Sequence, residues 1–225
     1  MMSRTIRIVL VVATLAVGQL PPGAAHAATE AEAKALFDSQ FGAKRRAVLG
    51  TRTRADDAAL SREILAAAGT AEGDSPTIAV YFYEQAYEMG KRDPRGFRAA
   101  VDALAKLAML EPGRTLEMQE RMLELYEIAF RTSRGPSGTA QARYQRAGAA
   151  TAGLMAEIAD AKSEFGETRQ AMLLYRKAYT IARQVDAPQS DALREKLDTA
   201  QGRAIVEARV RRFNDDLKQN PNDVH

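Results

Sequence analysis

Apolar residues along most of this chain recur every three or four positions, which is the period of an amphipathic helix. The stretch from Ala79 to Tyr87 has alanine first, tyrosine four residues later, then alanine and an aromatic residue at the end. The same order returns from Met122 to Phe130 and from Ala171 to Tyr179, with a small or flexible apolar residue at the start. These positions share one helix face, so the pattern predicts three helices that dock on their neighbours in the same way. The predicted packing face consists of Ala79, Tyr83, Ala86, Met122, Tyr126, Ala129, Ala171, Tyr175 and Ala178.

Start and stop signals divide the chain into about eight helices. Ser75-Pro76 and Asp93-Pro94 each place a capping residue before a proline, which is typical of a helix start. The predicted helices cover about 29–49, the segment from the capping signal at Thr53 to Gly69, and about 76–90, 94–110, 115–131, 139–165, 168–186 and 190–219. No alternating pattern of useful length predicts a strand.

The first 27 residues have the features of a secretory signal peptide. Arg4 and Arg7 precede an apolar run from Ile8 to Val17, and Ala25-His-Ala27 supplies small residues at the cleavage site. The apolar run is shorter than the roughly 20 residues that span a bilayer. We therefore expect residues 1–27 to be cleaved, the protein to be periplasmic or secreted, and no transmembrane segment to remain.

Residues 28–225 would then form a single α-helical repeat domain. They contain 30 basic and 29 acidic residues, so charge gives no reason to expect a nucleic-acid partner. The chain has no cysteine, so stability in an oxidising compartment must come from the core. Alanine, leucine, glutamate, arginine and lysine dominate, which favours an all-α fold.

One copy of the pattern resembles the second helix of a tetratricopeptide repeat. From Gly166 to Ala178 it has a turn glycine followed by Ala171, Tyr175 and Ala178 at the spacing of that family, and Asp74 to Ala86 repeats the arrangement. Ile158-Ala159 stands where the family has leucine and glycine, Arg183 where it has proline, and the tyrosines lie 43 and 49 residues apart, not about 34. The resemblance implies a short right-handed α-solenoid of antiparallel hairpins over residues 55–187 and a protein-binding adaptor.

The last helix, 189–219 with its cap, has apolar residues on two faces. Leu193, Leu197, Ala200 and Ala204 are spaced by four, three and four residues, and so are Val206, Val210, Phe213 and Leu217, but the two sets are out of phase. The second half is therefore expected to project and to pair with something else, and a homo-oligomer is one alternative. The candidate partner surface consists of Phe97, Val101, Leu104, Tyr144, Met155, Val210, Phe213 and Leu217.

Residues that usually carry catalysis are scarce. His26 lies in the predicted leader, His225 is the last residue, and cysteine is absent, which removes the usual general base, thiol nucleophile and zinc ligands. Glu120, Glu124 and Glu127 share a helix face but lie in no calcium-binding loop. We therefore expect no catalytic residues, no metal site and no cofactor.

These observations favour a non-catalytic scaffold or adaptor that binds a protein or peptide in a groove of the helical stack. A structural or envelope-associated oligomer that assembles through the last helix is the alternative. A small-ligand binder or a carboxylate-based enzyme is less favoured.

Overall fold

The computed structural model describes residues 28–51, 53–135 and 137–219. Within these ranges the protein is all-α, as the sequence predicts, and has no strand. The eight described α-helices are α1 (Glu30–Leu49), α2 (Ala55–Ala71), α3 (Pro76–Gly90), α4 (Phe97–Leu110), α5 (Thr115–Thr132), α6 (Gly138–Glu164), α7 (Thr168–Gln184) and α8 (Ser190–Gln219). The predicted leader at 1–27 lies outside the described residues.

Local signals account for most helix starts. Thr29 and Glu32 form a capping box on α1, Pro76 opens α3, and Ser137 accepts a hydrogen bond from the backbone N–H of Ala140 at the start of α6. The expected start of the fourth helix at Asp93-Pro94 is a short 3-10 turn, Pro94–Gly96, that leads directly into α4. Thr53 does not cap α2, because that helix begins two residues later and has no side-chain cap.

Consecutive helices pack on one another from α2 to α8, and α1 packs on both α2 and α3. The connections are short, so neighbouring helices run antiparallel. No described helix combines the length and the apolar character that crossing a membrane requires.

The buried apolar residues separate into two cores. The first core lies among α1 to α5 and contains Phe37, Phe82, Leu104 and Met118 among its largest members. The second core lies among α5 to α8 and contains Phe130, Met155 and Tyr175. Helix α5 contributes to both, so the division between the cores runs along it.

Candidate functional site

The structure places the three copies of the predicted packing face differently. The first and third copies, Ala79, Tyr83, Ala86 and Ala171, Tyr175, Ala178, are buried in the first and second cores. The middle copy, Met122, Tyr126 and Ala129, is only half-buried. Helix α5 uses other positions for its core contacts, namely Met118, Leu125 and Phe130, because it must serve two cores at once.

The hydroxyl groups of Tyr83 and Tyr175, the first and third tyrosines of the pattern, make the same kind of polar contact. The Tyr83 hydroxyl donates to the Glu72 carboxylate, which also pairs with Lys106 Nζ at 2.9 Å. The Tyr175 hydroxyl donates to Asp160 Oδ1 at 2.5 Å, and Lys196 Nζ lies 2.6 Å from Asp160 Oδ2. In each case a carboxylate at the end of one helix is linked to a tyrosine of the next helix and to a lysine of the helix after that.

Burial and the hydrogen bond to a carboxylate raise the pKa of both Tyr83 and Tyr175. The hydrogen bond from Tyr83, with Lys106 beside it, lowers the pKa of Glu72. These tyrosines therefore stay neutral at physiological pH, which suits a structural link between helices and not a catalytic base. Sequence reasoning missed the carboxylates and lysines, although each carboxylate precedes its tyrosine by 11 or 15 residues and each lysine follows by 23 or 21.

The structure buries some residues of the candidate partner surface and leaves others at least partly exposed. Leu104, Tyr144 and Met155 are buried in the cores, because α4 and α6 each turn these residues towards both neighbouring helices. They do not lie on a surface. Phe97 and Val101 are half-buried at the edge of the first core, whereas Val210 and Phe213 are exposed and Leu217 is half-buried.

A groove opens at the division between the two cores. It has a volume of about 670 Å³ and lies between the α3–α4 connection on one side and α5 and α6 on the other. Its apolar lining comes from Pro94, Phe97, Leu125, Ile128, Ala129 and Ala147. Ile128 is 47% exposed, so this lining is open to solvent in the isolated chain.

Close backbone packing fixes one wall of the groove. A Cβ atom on Gly96 would lie 2.4 Å from the carbonyl oxygen of Gly90, so the end of α3 and the 3-10 turn approach each other more closely than any residue with a side chain allows. Asp93 begins this turn and accepts a hydrogen bond from the backbone N–H of Arg95 at 2.8 Å. Close backbone packing and the Asp93 side chain together hold this wall.

Charged side chains, three cations and the carboxylate of Asp93, flank the apolar lining. Lys91 pairs with Glu88 at 2.6 Å, and Arg92 pairs with the buried Asp57 at 2.9 Å. Arg143 donates only to the Thr139 carbonyl in its own helix, and no carboxylate among the described residues pairs with it. Of the three cations that line the groove, Arg143 is therefore the one that remains available to a ligand.

Asp57, in the first turn of α2, forms a long-range ion pair with Arg92. Its side chain is buried, and Arg92 lies at the groove rim, so the ion pair connects the start of α2 to the groove wall. Nearby, the buried Ser61 hydroxyl donates to the Ala86 carbonyl at 2.7 Å. Both contacts hold α2 against the end of α3.

Among the described residues, no group of three or more histidine, cysteine or carboxylate side chains is arranged to hold a metal ion. Of the three glutamates on the α5 face, Glu120 pairs with Lys162 at 2.8 Å. The described geometry assigns no coordinating role to this face.

Comparison of the chain with protein-family models, with curated proteins and with solved structures gave no match.

Proposed function

We propose that the protein is a non-catalytic scaffold or adaptor that binds a protein or peptide in the groove between its two cores. The observation that carries this proposal is the apolar lining of the groove, with Ile128 exposed and Arg143 at its edge without a carboxylate partner among the described residues. Apolar residues in a concave site supply binding free energy, and a few polar groups at its edge fix orientation.

The same features define the partner. An apolar side chain would fill the lining, and an adjacent carboxylate, from an acidic residue or a chain terminus, would pair with Arg143. The groove walls are helices and a tightly packed turn, so little ordering is needed on the side of the protein when a peptide binds.

The likeness to tetratricopeptide repeats supports an adaptor role, since that family's architecture presents grooves to peptides. The matching groups around Tyr83 and Tyr175 support a repeated unit, because they recur at corresponding positions of two hairpins. Export to the periplasm or the exterior is part of the proposal, and mass spectrometry of the exported protein should find an N-terminus at Ala28.

Selection of binders from a random peptide library displayed on phage tests the groove. We expect enriched peptides that carry an apolar residue next to an acidic one. Binding should be lost in Ile128→Asp, because a carboxylate would stand in the lining. Binding should fall about tenfold in Arg143→Glu, which removes the cation at the rim.

Two variants serve as matched controls. Met109→Asp changes an apolar α4 residue that is 75% exposed and lies outside the groove. Arg146→Glu changes an exposed arginine of α6 that, like Arg143, donates to a carbonyl of its own helix. Both should keep full binding. Peptides that bind all four variants equally would show that the groove is not the binding site.

A further inference from the structure

Helix α8 extends well beyond the core that supports it. Its buried residues are Leu193, Leu197 and Ala200, and no described residue after Ala200 is buried. Among the described residues, the last hydrogen bond between this helix and the rest of the fold runs from the Thr168 hydroxyl, at the start of α7, to Glu207. The final twelve described residues, 208–219, therefore continue past the start of α7, over a length of about 18 Å.

This projecting part carries an apolar stripe. Val206, Val210 and Phe213 are 58%, 52% and 62% exposed, and Leu217 continues the same line. Val206 is rotated by about 120° from Ala200 around the helix axis, so the stripe does not face the second core. The spacing of four, three and four residues is that of the seam of a coiled coil.

We propose that the stripe is the interface with a second copy of this chain, formed by two α8 helices that pair antiparallel. In this arrangement Val206 lies opposite Leu217 of the other copy, and Val210 lies opposite Phe213. The two-fold symmetry repeats each layer, so four apolar layers close the seam.

Charge along the edge of the stripe selects this partner and this direction. Arg209 and Asp216 lie seven residues apart on the same edge. In the antiparallel pair the Arg209 of each copy meets the Asp216 of the other, which gives two attractive contacts. In a parallel pair Arg209 would instead meet Asn214, so the attraction would be lost.

Both charges are available for these contacts. Neither Arg209 nor Asp216 takes part in an ion pair within the described part of the chain, whereas Glu207 on the opposite edge pairs with Arg211 at 3.9 Å. Residues 206–219 carry four basic and three acidic side chains, so both signs of charge flank the stripe, as opposite charges across a pair of identical helices require. The seam is short, so the association should be weak and dependent on concentration.

Charge reversal tests the pairing without disturbing the fold, because both residues are exposed. Sedimentation velocity over a range of concentrations should show the purified protein passing from one chain to two. Arg209→Asp and Asp216→Arg should each weaken this association by about tenfold or more, since each puts like charges together twice. An equimolar mixture of the two variants should associate again, because every contact across the mixed pair is then attractive.

Arg212→Asp is the matched control, since residue 212 lies away from the seam edge and should leave association unchanged. Phe213→Asp should abolish association, and circular dichroism should confirm that each variant remains helical. The proposal is overturned if the protein stays monomeric at all concentrations, if Phe213→Asp still dimerises, or if the mixture fails to associate. Binding of the monomer to vesicles of anionic phospholipid through the stripe would also overturn it.

Discussion

The hydroxyl of Tyr175 donates a 2.5 Å hydrogen bond to the carboxylate of Asp160 on the preceding helix. Tyr83 makes the corresponding contact with Glu72 in an earlier hairpin. A lysine from the following helix neutralises each carboxylate, Lys196 in one case and Lys106 in the other. Tyr83 and Tyr175 therefore pack in the cores with their rings and also link neighbouring helices through their hydroxyl groups.

The first prediction concerns these two links. Tyr175→Phe and Tyr83→Phe keep the ring in the core but remove the donor, so each should lower the free energy of unfolding by about 1 kcal/mol. Thermal unfolding should report this as a fall in Tm of about 2–4 °C. Tyr126→Phe is the control, because its ring packs edge-on against Phe97 and its hydroxyl has no hydrogen bond among the described residues. An equal loss in all three variants would contradict the role of the links.

The second prediction concerns alkaline pH. The pKa of Tyr83 and Tyr175 is raised above the ordinary value of 10.0, chiefly by burial. The stability that these two neutral tyrosines give the folded state is therefore fully present below about pH 10. It is lost as pH rises, because the tyrosines of the unfolded chain lose their protons at a lower pH than those of the folded chain. Each tyrosine should contribute a slope of up to about 1.4 kcal/mol per pH unit above pH 10.

Urea unfolding at several pH values from 9 to 11.5 measures this slope. The double variant Tyr83→Phe, Tyr175→Phe should lose stability less steeply with pH than the unchanged protein. Identical slopes would mean that other groups govern alkaline unfolding.

The third prediction concerns two glycines of α6. A Cβ atom at Gly148 would lie 2.5 Å from Val185 and 2.8 Å from Phe130, so Gly148→Ala should cost about 1–3 kcal/mol through overpacking. A Cβ atom at Gly153 would meet nothing within 4 Å, so Gly153→Ala should stabilise the helix by about 0.5–1 kcal/mol. Urea unfolding of the two variants should give changes of opposite sign, and stabilisation by both would show that helix propensity alone decides them.

The fourth prediction separates the two halves of α8. A chain that ends after Glu207 loses only residues outside the core, so its free energy of unfolding should change by less than about 0.5 kcal/mol. A chain that ends after Gln189 also loses Leu193 and Leu197 from the second core and should be destabilised by at least about 4 kcal/mol. Measurements at low protein concentration keep self-association from contributing to either value.

Local sequence signals determined the secondary structure. Caps, prolines and apolar spacing predict eight helices, and the described bounds agree closely for most of them, as with 190–219 against Ser190–Gln219. These signals act within one or two helical turns, so residues close together in sequence are enough to specify them. The close approach of Val185 to Gly148, by contrast, joins residues 37 positions apart and depends on the packing of the helices.

Only the tertiary structure decided which face of each helix is buried and which charges meet. The pattern treats Tyr126 like Tyr83 and Tyr175, but α5 divides its contacts between two cores, so the middle copy stays half-buried and the groove opens beside it. The sequence placed Leu104 and Met155 on the candidate partner surface, whereas in the structure neighbouring helices bury both. The pairing of Arg92 with Asp57 spans 35 residues, and a contact at that separation depends on how the helices stack, which the spacing along one helix does not encode.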